Sequence, residues 1–245
     1  MKLGIVGYGI VGKATHKGIL NNRPVVIHDL SLGTSIEDLY NCDYVFFCVP
    51  TDSITSVQSL VDDVKNFKAA SPNSTIIIRS TVPVGTCKEI QQLINDKIFY
   101  MPEFLRDRAW ETDCLNRPIV VGHDGLEIPS WLLDDEYVEC STSEAEVTKM
   151  FSNNFAVVRI AFANLFYDLS QKVGADYDVV KDLYFKTAND QSYLNVPGHD
   201  GTRGFGGKCL PKDLDFVINS LDELGIGQTW LNDVRRLNQQ WQQKF

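Results

Sequence analysis

A glycine-rich turn near the amino terminus restricts the fold more than any other feature of the sequence. Leu3 to Val6 has the composition of a short buried strand, and Gly7-Tyr8-Gly9-Ile10-Val11-Gly12 follows it at once. Glycines spaced in this way allow a tight bend, let a pyrophosphate approach the backbone and let the next helix pack on the strand. The pattern therefore predicts a strand–turn–helix unit that binds a dinucleotide.

The acidic residue that such a unit requires lies at the end of the next predicted strand. A helical pattern runs to about Leu20, and Val25-Val26-Ile27-His28 then leads into Asp29. A carboxylate at this distance from the glycines binds the ribose hydroxyls, and it would repel a 2′-phosphate. The sequence therefore predicts NAD rather than NADP as the cofactor. A glycine-rich turn in some other α/β fold is the alternative.

Short apolar strands alternate with helical patterns over the first 140 residues. This alternation is typical of a parallel sheet covered on both faces, so we predict a Rossmann-like, doubly wound α/β domain over 1–140. Ligands bind such sheets at the carboxyl ends of the strands. The candidate ligand-binding segments are therefore those that follow predicted strands: Gly7–Gly12, Val49-Pro50-Thr51, Ser80-Thr81 and Glu103-Phe104-Leu105 through Asp107.

After residue 140 the pattern changes to one long helix. Ser143 and Glu146 have the spacing of a capping box, in which each side chain binds the other residue's backbone N–H. Apolar residues then recur at helical spacing from Val147 to Leu169, with no proline or glycine before Gly174. A helix of roughly 30 residues follows from this pattern. We expect it to form the spine of an all-helical second domain over 141–245.

Two polar residues of this helix, Lys149 and Asn153, are four positions apart and therefore share one face. Exposure to solvent is the simpler interpretation of such a pair, because charged residues on helices usually face water. Their spacing alone therefore leaves their function open.

Residues capable of covalent chemistry are concentrated in the stretch Gly204-Phe205-Gly206-Gly207-Lys208-Cys209-Leu210-Pro211-Lys212-Asp213. Glycine permits unusual backbone angles and Pro211 suits the first turn of a helix, so Cys209 is predicted where a loop meets a helix N-terminus. The partial positive charge there and the flanking lysines favour the thiolate. With Asp213 in the same turn, Cys209 is a candidate nucleophile. A buried structural cysteine beside a helix cap is the alternative.

Net charge and cysteine spacing argue against several other functions. The formal net charge of −9 is unlike that of a general nucleic-acid-binding protein, which presents a basic face. None of the six cysteines forms a C-x-x-C pair, and no Cys/His cluster has the spacing of a metal site. No apolar run reaches membrane-spanning length, and the start differs from a signal peptide. We expect a cytoplasmic protein with no metal and no membrane contact, in which Cys209 stays reduced.

In combination, these motifs resemble those of the UDP-glucose/GDP-mannose dehydrogenase family. Its members use NAD to oxidise the 6-hydroxyl of a nucleotide sugar twice, to the uronic acid. The resemblance covers essentially the whole chain. It rests on Gly7–Gly12, Ser80-Thr81-Val82-Pro83-Val84-Gly85, Pro102-Glu103-Phe104-Leu105, the run from Glu146 through Lys149 to Asn153, and Gly204–Asp213.

The resemblance implies a covalent mechanism. Cys209 would attack the aldehyde formed by the first oxidation, and the resulting thiohemiacetal would be oxidised to a thioester that water hydrolyses. Lys149 and Asn153 would stabilise the developing oxyanion. UDP-glucose is the implied substrate, and UDP-N-acetylhexosamines and GDP-mannose remain open. The family also implies a homodimer through the long helix and an exposed stripe near Trp230 and Trp241.

The remaining candidate residues also receive roles from the resemblance. Asp213, with a water held by Thr81, would transfer protons, and Glu103 would assist hydrolysis of the thioester. Asp107 stands where many members carry glutamate, which leaves its role near the cofactor less defined. The loop 198–206 would line the sugar-nucleotide site. The implied cofactor-binding residues outside Gly7–Gly12 and Asp29 are Val49, Pro50, Thr51, Ser80, Thr81, Asp107 and Lys212. The implied substrate-binding residues are Glu103, Phe104, Leu105, Lys149, Asn153, Phe205, Gly206 and Cys209.

The chain differs from the family pattern in its length. Family members generally continue into a third, Rossmann-like domain, whereas this sequence stops within what resembles the long helix before it. We expect a naturally short member, a fragment that another polypeptide completes, or an engineered piece. Two other functions remain open. One is a single oxidation of the kind that β-hydroxyacid dehydrogenases perform without a cysteine. The other is a non-catalytic NAD-binding or dimerisation module of a larger enzyme.

Overall fold

The computed structural model of the chain describes residues 1–116, 118–132, 136–188, 196–198, 201–223 and 229–242. The chain divides into two compact units, Met1–Lys149 and Met150–Phe245. The division lies inside a long helix, Thr142–Val173, which begins just beyond the predicted boundary at 140/141. Residues 199 and 200 of the predicted substrate loop lie outside the described residues.

The first unit is built on a β-sheet. Its described residues form the strands β1 Leu3–Val6, β2 Val26–His28, β3 Tyr44–Phe47, β4 Thr75–Ile78, β5 Phe99–Tyr100, β6 Ile119–Gly122 and β7 Tyr137–Cys140. The strand order is β2-β1-β3-β4-β5-β6-β7. Because β2 and β3 lie on opposite sides of β1, the order reverses between β1 and β3, where ligands bind in such sheets. The predicted doubly wound α/β fold is confirmed.

One strand pair departs from the predicted parallel arrangement. β5 and β6 are antiparallel, with Tyr100 opposite Gly122, whereas the other neighbouring pairs are parallel. A parallel connection usually needs a crossover helix that packs across the sheet. The connection from β5 to β6 contains instead a short turn, Asp107–Ala109, and the four-residue helix Trp110–Asp113. The chain therefore returns along β5 in the opposite direction.

Apolar side chains are buried on both faces of the sheet. The helices of this unit are α1 Ile10–Ala14, continued by a π-helical segment Thr15–Ile19, α2 Ile54–Ala70, α3 Thr86–Ile94 and α4 Trp110–Asp113. Consecutive strand residues point to opposite faces, so Phe46 and Phe47 belong to different clusters. Phe47 lies in a cluster with Leu60 of α2, and Phe46 packs against Trp131. Burial on both faces explains why the strands are almost continuously apolar.

The capping box at the start of the long helix, α5 (Thr142–Val173), is not the predicted one. The predicted pair was Ser143 with Glu146, but the structure forms the box two residues earlier. The Ser141 hydroxyl accepts from the Glu144 N–H at 3.2 Å, and the Glu144 carboxylate accepts from the Ser141 N–H at 2.8 Å. Both pairs have the same spacing in the sequence. Burial separates them, because Glu144 is exposed whereas Glu146 is buried.

Glu146 binds a different helix. Its carboxylate oxygens accept from the backbone N–H groups of Gly85 and Cys87, each at 2.7 Å. These N–H groups lie at the N-terminus of α3, where no intrahelical acceptor is available and the helix dipole favours an anion. Burial raises the pKa of Glu146, although the two N–H donors act against this rise. Glu146 therefore joins the start of α5 to the segment that follows Ser80 and Thr81.

The second unit is helical in its described residues. It contains the greater part of α5, followed by α6 Tyr177–Ala188, α7 Leu210–Glu223 and α8 Thr229–Gln242. Its core cluster consists of Val157, Phe205, Leu214, Ile218 and Leu231. Within the described ranges, the chain has no helix with the length and apolarity needed to cross a bilayer.

The predicted exposed stripe on the last helix is only partly correct. Trp230 is 53% exposed, but Trp241 is 4% exposed and so is buried. Helical spacing identifies an apolar face without stating which neighbour covers it. Trp241 is therefore part of the interior, and Trp230 alone of this pair remains on the surface.

We predict that Glu146→Ala will lower the free energy of unfolding by about 2–4 kcal/mol, because it leaves two N–H groups without their acceptor, one of them buried. Urea denaturation of the full chain measures this loss. Glu89→Ala is the matched control, since it removes an exposed carboxylate from the first turn of the same helix α3. Equal losses for the two variants would contradict the role assigned to Glu146.

Candidate active site

The glycine-rich loop after β1 takes the conformation that the fingerprint requires. Gly7 has φ +86°, and a Cβ there would lie 2.7 Å from the Cys48 carbonyl oxygen. At Gly12 a Cβ would lie 2.1 Å from the Gly7 carbonyl oxygen, so the helix could not approach the strand. Gly9 differs, because a Cβ there would meet no atom within 4 Å. Gly7 and Gly12 are thus required by the fold, whereas Gly9 leaves the loop surface without a side chain.

Asp29 lies beside this loop, at the end of β2. Its carboxylate accepts from the Tyr8 N–H at 2.6 Å, from the Ser31 N–H at 2.8 Å and from the Ser31 hydroxyl at 2.6 Å. The hydrogen bond from the Ser31 side chain, followed by those from the two N–H groups, lowers the pKa of Asp29. Asp29 is therefore an anion at neutral pH that both shapes the loop and faces partly outward.

Tyr8 has a second partner that sequence reasoning missed. Its hydroxyl lies 2.7 Å from Nδ1 of His16, and Nε2 of His16 lies 2.9 Å from the Arg23 carbonyl oxygen. A carbonyl oxygen only accepts, so Nε2 donates to it. In that tautomer Nδ1 accepts a hydrogen bond from the Tyr8 hydroxyl. His16 lies in the π-helical segment after α1. No spacing rule for a regular α-helix would have identified this contact.

The segments after β3 and β4 are joined to each other. The Thr51 hydroxyl donates to the Thr81 carbonyl at 2.6 Å, and the Ser80 hydroxyl donates to the Val49 carbonyl at 2.8 Å. Thr51, Ser80 and Thr81 are buried, whereas Pro50 between the two contacts is exposed. These hydroxyls therefore fix the backbone along the carboxyl ends of β3 and β4.

Glu103 and Lys149 form a buried ion pair in the first unit. Nζ of Lys149 lies 3.2 Å from Oε1 of Glu103, and the side chains are 3% and 9% exposed. The other carboxylate oxygen accepts from the Leu105 N–H at 2.6 Å, and the Phe104 ring lies 5.4 Å from the ammonium. Burial raises the pKa of Glu103, but Lys149, the Leu105 N–H and Arg79 outweigh it and hold that pKa below its usual value. Glu103 is therefore an ionised hydrogen-bond acceptor.

Arg79 is a second buried cation near Glu103 that the sequence did not single out. Its guanidinium donates to the Thr15 hydroxyl at 3.1 Å and to the carbonyl oxygens of Met101 and Pro102. It thereby holds the backbone that immediately precedes Glu103. A charged residue at the end of an apolar strand gives some signal, but its partners come from two distant segments, which no local pattern reveals.

Asp107 has a less central position than predicted. It is exposed and begins the short turn Asp107–Ala109. The carboxylate that organises this segment is Asp113, which is 5% exposed and accepts from the Arg106 backbone N–H and from Nε and Nη2 along one edge of its guanidinium. The structure therefore gives Asp113 the local structural role and leaves Asp107 facing solvent.

In the second unit, Asp213 is the centre of a polar cluster. It is fully buried in α7, and its Oδ2 accepts a hydrogen bond from Nδ2 of Asn153. Oδ1 lies 3.2 Å from the Lys212 ammonium but accepts no hydrogen bond from the described residues. Asn154 donates to the Asp213 backbone carbonyl at 3.3 Å. Lys212, predicted at the cofactor, is therefore paired with Asp213, and Oδ1 retains capacity for a further donor.

Cys209 lies at the predicted junction of loop and helix. It directly precedes α7, and its carbonyl accepts from the Asp213 N–H at 2.9 Å. The six cysteines all lie in the described residues and none is in a disulfide; Cys42, Cys48 and Cys87 are buried and Cys209 is exposed. Burial raises the pKa of Cys48 to about 11. The exposed position at a helix N-terminus therefore distinguishes Cys209 from the buried thiols.

The predicted catalytic set is divided between the two units. Glu103, Thr81 and Lys149 belong to the first, and Asn153, Cys209 and Asp213 belong to the second. Phe205, predicted to contact substrate, has its side chain in the core of the second unit at 2% exposure. Its side chain is therefore not available to a ligand, and Gly206 is the nearer surface residue. Among the described residues, no cluster of His, Cys, Asp and Glu could hold a metal ion.

Two family models match this chain. The NAD-binding domain model of the UDP-glucose/GDP-mannose dehydrogenase family matches residues 20–128, and the central domain model of the same family matches residues 143–240. The UDP-glucose 6-dehydrogenase of Campylobacter jejuni is 30% identical over 217 residues, which are 78% of this chain and 52% of the relative. The chain spans about half the length of most of the first curated relatives it matches.

Solved structures of low sequence identity share the fold. A UDP-D-ManNAc dehydrogenase from Pyrococcus horikoshii superimposes with a TM-score of 0.79 at 19% identity, over 98% of this chain and 69% of that one. A 3-hydroxyisobutyrate dehydrogenase from Salmonella typhimurium gives 0.70 at 18% identity, over 98% and 93% respectively. At these identities the likeness concerns the fold alone.

We predict that Asp29→Asn will weaken NAD binding roughly 10- to 100-fold, because charge-assisted hydrogen bonds contribute about 1.5–3 kcal/mol each. It should also narrow the preference for NAD over NADP, because the charge that repels a 2′-phosphate is lost. Calorimetric titration of the full chain with each cofactor measures both effects. Asp62→Asn, on the exposed face of α2, is the control for the loss of one charge. An unchanged NAD affinity would refute the assignment of Asp29.

Proposed function

Because the chain belongs to the UDP-glucose/GDP-mannose dehydrogenase family, we propose that it oxidises the 6-hydroxyl of a nucleotide sugar twice, to the uronate. The observation that carries this proposal is the exposed Cys209 thiol, one helical turn before the buried Asp213. A single oxidation to the aldehyde needs no thiol. A second oxidation benefits from a thiol, because the aldehyde carbon must gain a nucleophile before it can lose another hydride.

The glycine loop and Asp29 fit the cofactor that the family uses. NAD, when bound, supplies the hydride acceptor for both oxidations. The bare surface at Gly9 admits a pyrophosphate, and the anionic Asp29 accepts hydrogen bonds from ribose hydroxyls. The Tyr8 N–H is already bound to Asp29, so the loop is held in this conformation by the residue that binds the ribose.

Cys209 acts as the covalent nucleophile. After the first oxidation, its thiolate attacks the C6 aldehyde, and the carbonyl oxygen takes up a proton to give a thiohemiacetal. Loss of a hydride from C6 and of the hydroxyl proton then gives a thioester. Water attacks the thioester carbon, which releases the carboxylate and restores the thiol. Asp213, whose Oδ1 has no hydrogen-bond donor among the described residues, accepts the protons through a water.

Lys149, Asn153 and Glu103 have different proposed roles in this chemistry. The Lys149 ammonium and the Asn153 amide N–H groups are donors, and fixed donors stabilise an oxyanion that forms on the oxygen at C6. Glu103 is held ionised by Lys149, so its carboxylate can accept a hydrogen bond from the hydrolytic water and orient it for attack on the thioester. The ion pair also means that Lys149 carries its charge next to a counter-ion, which reduces the cost of burying it.

UDP-glucose is the proposed substrate, because curated relatives with about half their length matched are UDP-glucose 6-dehydrogenases. UDP-N-acetylhexosamines and GDP-mannose are the other substrates of the same chemistry. A single oxidation, with one NADH for each substrate, is the rival reaction. A non-catalytic NAD-binding module is the rival that needs no reaction at all.

We predict two NADH for each UDP-glucose when the sugar nucleotide is limiting and NAD is in excess. Cys209→Ser should abolish net formation of the acid, because the second oxidation loses its nucleophile. Glu103→Gln should slow hydrolysis and accumulate a mass adduct on the Cys209 peptide. Spectrophotometry at 340 nm and mass spectrometry of the digested protein measure these outcomes. Cys140→Ser is the control, since Cys140 is a half-buried thiol at the end of β7 to which the proposed mechanism gives no role.

Each rival gives a different result in this assay. One NADH for each substrate would support the single oxidation and reject the thioester. Undiminished uronate formation by Cys209→Ser would also reject it. No NADH with any of the three nucleotide sugars, while NAD still binds by calorimetry, would favour the non-catalytic module.

We also propose that two copies of the chain associate through α5. Phe151, Phe155 and Phe162 lie on one face of this helix, and they are 69%, 51% and 56% exposed. Phe151 and Phe155 stack with ring centroids 6.0 Å apart. A largely apolar cavity of about 460 Å³ adjoins Phe162, between α5 and α6. Exposed aromatic residues in one contiguous stripe usually mark an interface.

We predict that Phe155→Asp with Phe162→Asp will convert a dimer to a monomer, because each places a charge in an apolar contact. Size-exclusion chromatography with light scattering measures the mass. Trp230→Asp tests the remaining exposed residue of the other predicted stripe, and Leu32→Asp is the control in the first unit, where Leu32 is 57% exposed. A monomeric wild-type chain would contradict the proposal, as would a double variant that remains dimeric.

A further inference from the structure

The loop that leads to Cys209 is held by amide side chains that no sequence motif singled out. Asn238 of α8 binds both backbone groups of Phe205. Its Oδ1 accepts from the Phe205 N–H at 2.7 Å, and its Nδ2 donates to the Phe205 carbonyl at 2.8 Å. Gln242, one turn later, donates to the same carbonyl at 3.0 Å. Phe205 is therefore bound at both of its peptide groups by the last described helix.

A third amide holds the residues just before Phe205. Asn164 of α5 is 1% exposed, and its Oδ1 accepts from the Gly204 N–H and from Nε of Arg203, each at 3.3 Å. Its backbone carbonyl accepts from the same guanidinium at 3.4 Å. The Arg203 guanidinium also lies 4.9 Å from the Tyr167 ring. We call Asn164, Asn238 and Gln242 the amide clamp.

The chemistry of the clamp restricts which residue can stand at 238. The backbone of Phe205 presents one donor and one acceptor, and a carboxamide matches both because its oxygen and its nitrogen lie side by side. A carboxylate would place a second acceptor against the Phe205 carbonyl, and an alanine would leave both groups unpaired in a buried place. Asn238 is 5% exposed, so replacing its hydrogen bonds to Phe205 with hydrogen bonds to water would cost free energy.

The clamp fixes one end of a short segment whose other end is the nucleophile. The Phe205 side chain is anchored in the apolar core, and Leu210 begins α7. Between them, Gly207 has φ +73° and a Cβ there would meet no neighbouring atom. Glycine offers little resistance to changes in its backbone dihedral angles. The position of Cys209 therefore depends on how firmly both ends of this segment are held.

We propose that Asn238 is a positioning residue for the Cys209 thiol, with Gln242 as a weaker second member. It touches neither substrate nor cofactor. It holds Phe205 so that the two glycines deliver Cys209 to the N-terminus of α7 with its thiol exposed. The consequence for catalysis rests on the proposed function, whereas the consequence for thiol reactivity does not.

The first experiment measures alkylation of Cys209 by iodoacetamide in the full chain, followed as the mass of the Cys209 peptide after digestion. Asn238→Ala and Asn238→Asp should each slow alkylation roughly 3- to 10-fold, because a loosened loop withdraws the thiol from the helix N-terminus that favours thiolate. Gln242→Ala should slow it less. Gln240→Ala, an exposed amide on the same helix, should alkylate at the wild-type rate.

The second experiment measures NADH for each UDP-glucose. A displaced nucleophile slows the second oxidation more than the first, so Asn238→Ala should lower the ratio from two towards one while NAD affinity is unchanged. A purely structural defect would lower the amount of active protein and leave the ratio at two. Absence of turnover by the wild-type chain would reject the proposed function, and the alkylation rates would still test the clamp.

The clamp is overturned if Asn238→Ala and Gln242→Ala both alkylate at the wild-type rate. Gln242→Ala keeps the experiment decisive should Asn238 variants fail to fold, because Gln242 is exposed and its loss removes only one of two donors to Phe205. Far-UV circular dichroism before alkylation identifies variants that have lost their helices.

Discussion

Buried polar side chains on one helix determine much of this structure. An unpaired polar group in the interior costs about 1–3 kcal/mol, so each such residue on α5 needs a partner from elsewhere in the chain. Four polar side chains of α5, of which Asn153 is half-buried and the others are buried, have identified partners, and three of these four contacts end on the candidate site or on the loop that carries it. In chain order the contacts are Glu146 with the N-terminus of α3, Lys149 with Glu103, Asn153 with Asp213, and Asn164 with Gly204.

These contacts add specificity more than they add stability. A buried ion pair such as Lys149 with Glu103 gains little over an apolar pair of equal size, because both charges lose their hydration. Breaking it is costly, because one charge is then left alone in the interior. Removing the carboxamide of Asn238 is costly for a similar reason, because the N–H and the carbonyl of Phe205 then lose their partner. The site is therefore held by contacts that tolerate few substitutions, although their net contribution to the free energy of folding is modest.

The sequence predicted the elements of the fold because their signals are local. The glycine fingerprint with Asp29, the long helix and the loop–helix junction at Cys209 each follow from spacing within a few turns. The capping box failed because Ser141–Glu144 and Ser143–Glu146 have the same spacing, and only burial tells them apart. The prediction that Trp241 is exposed was wrong for a related reason, because helical spacing does not reveal which neighbour covers an apolar face.

The residues that sequence reasoning missed owe their positions to distant segments. Arg79 contacts backbone that lies more than 20 residues away, and Asn238 reaches a loop more than 30 residues before it. His16 was not identified because it lies in a π-helical segment and its partner Tyr8 lies before α1. No α-helical spacing therefore connects the two residues. Non-local pairing is what a single sequence does not display.

Gly204 and Asn238 behave as one position under mutation. A Cβ at residue 204 would lie 2.3 Å from Oδ1 of Asn238, and the φ of +83° at Gly204 already disfavours any other residue. A lineage that acquired a side chain at 204 would have to abandon the amide at 238 first, and that intermediate would carry a buried, unpaired peptide group. Each change alone therefore costs folding free energy, so the residue that is tolerated at either position depends on the residue at the other.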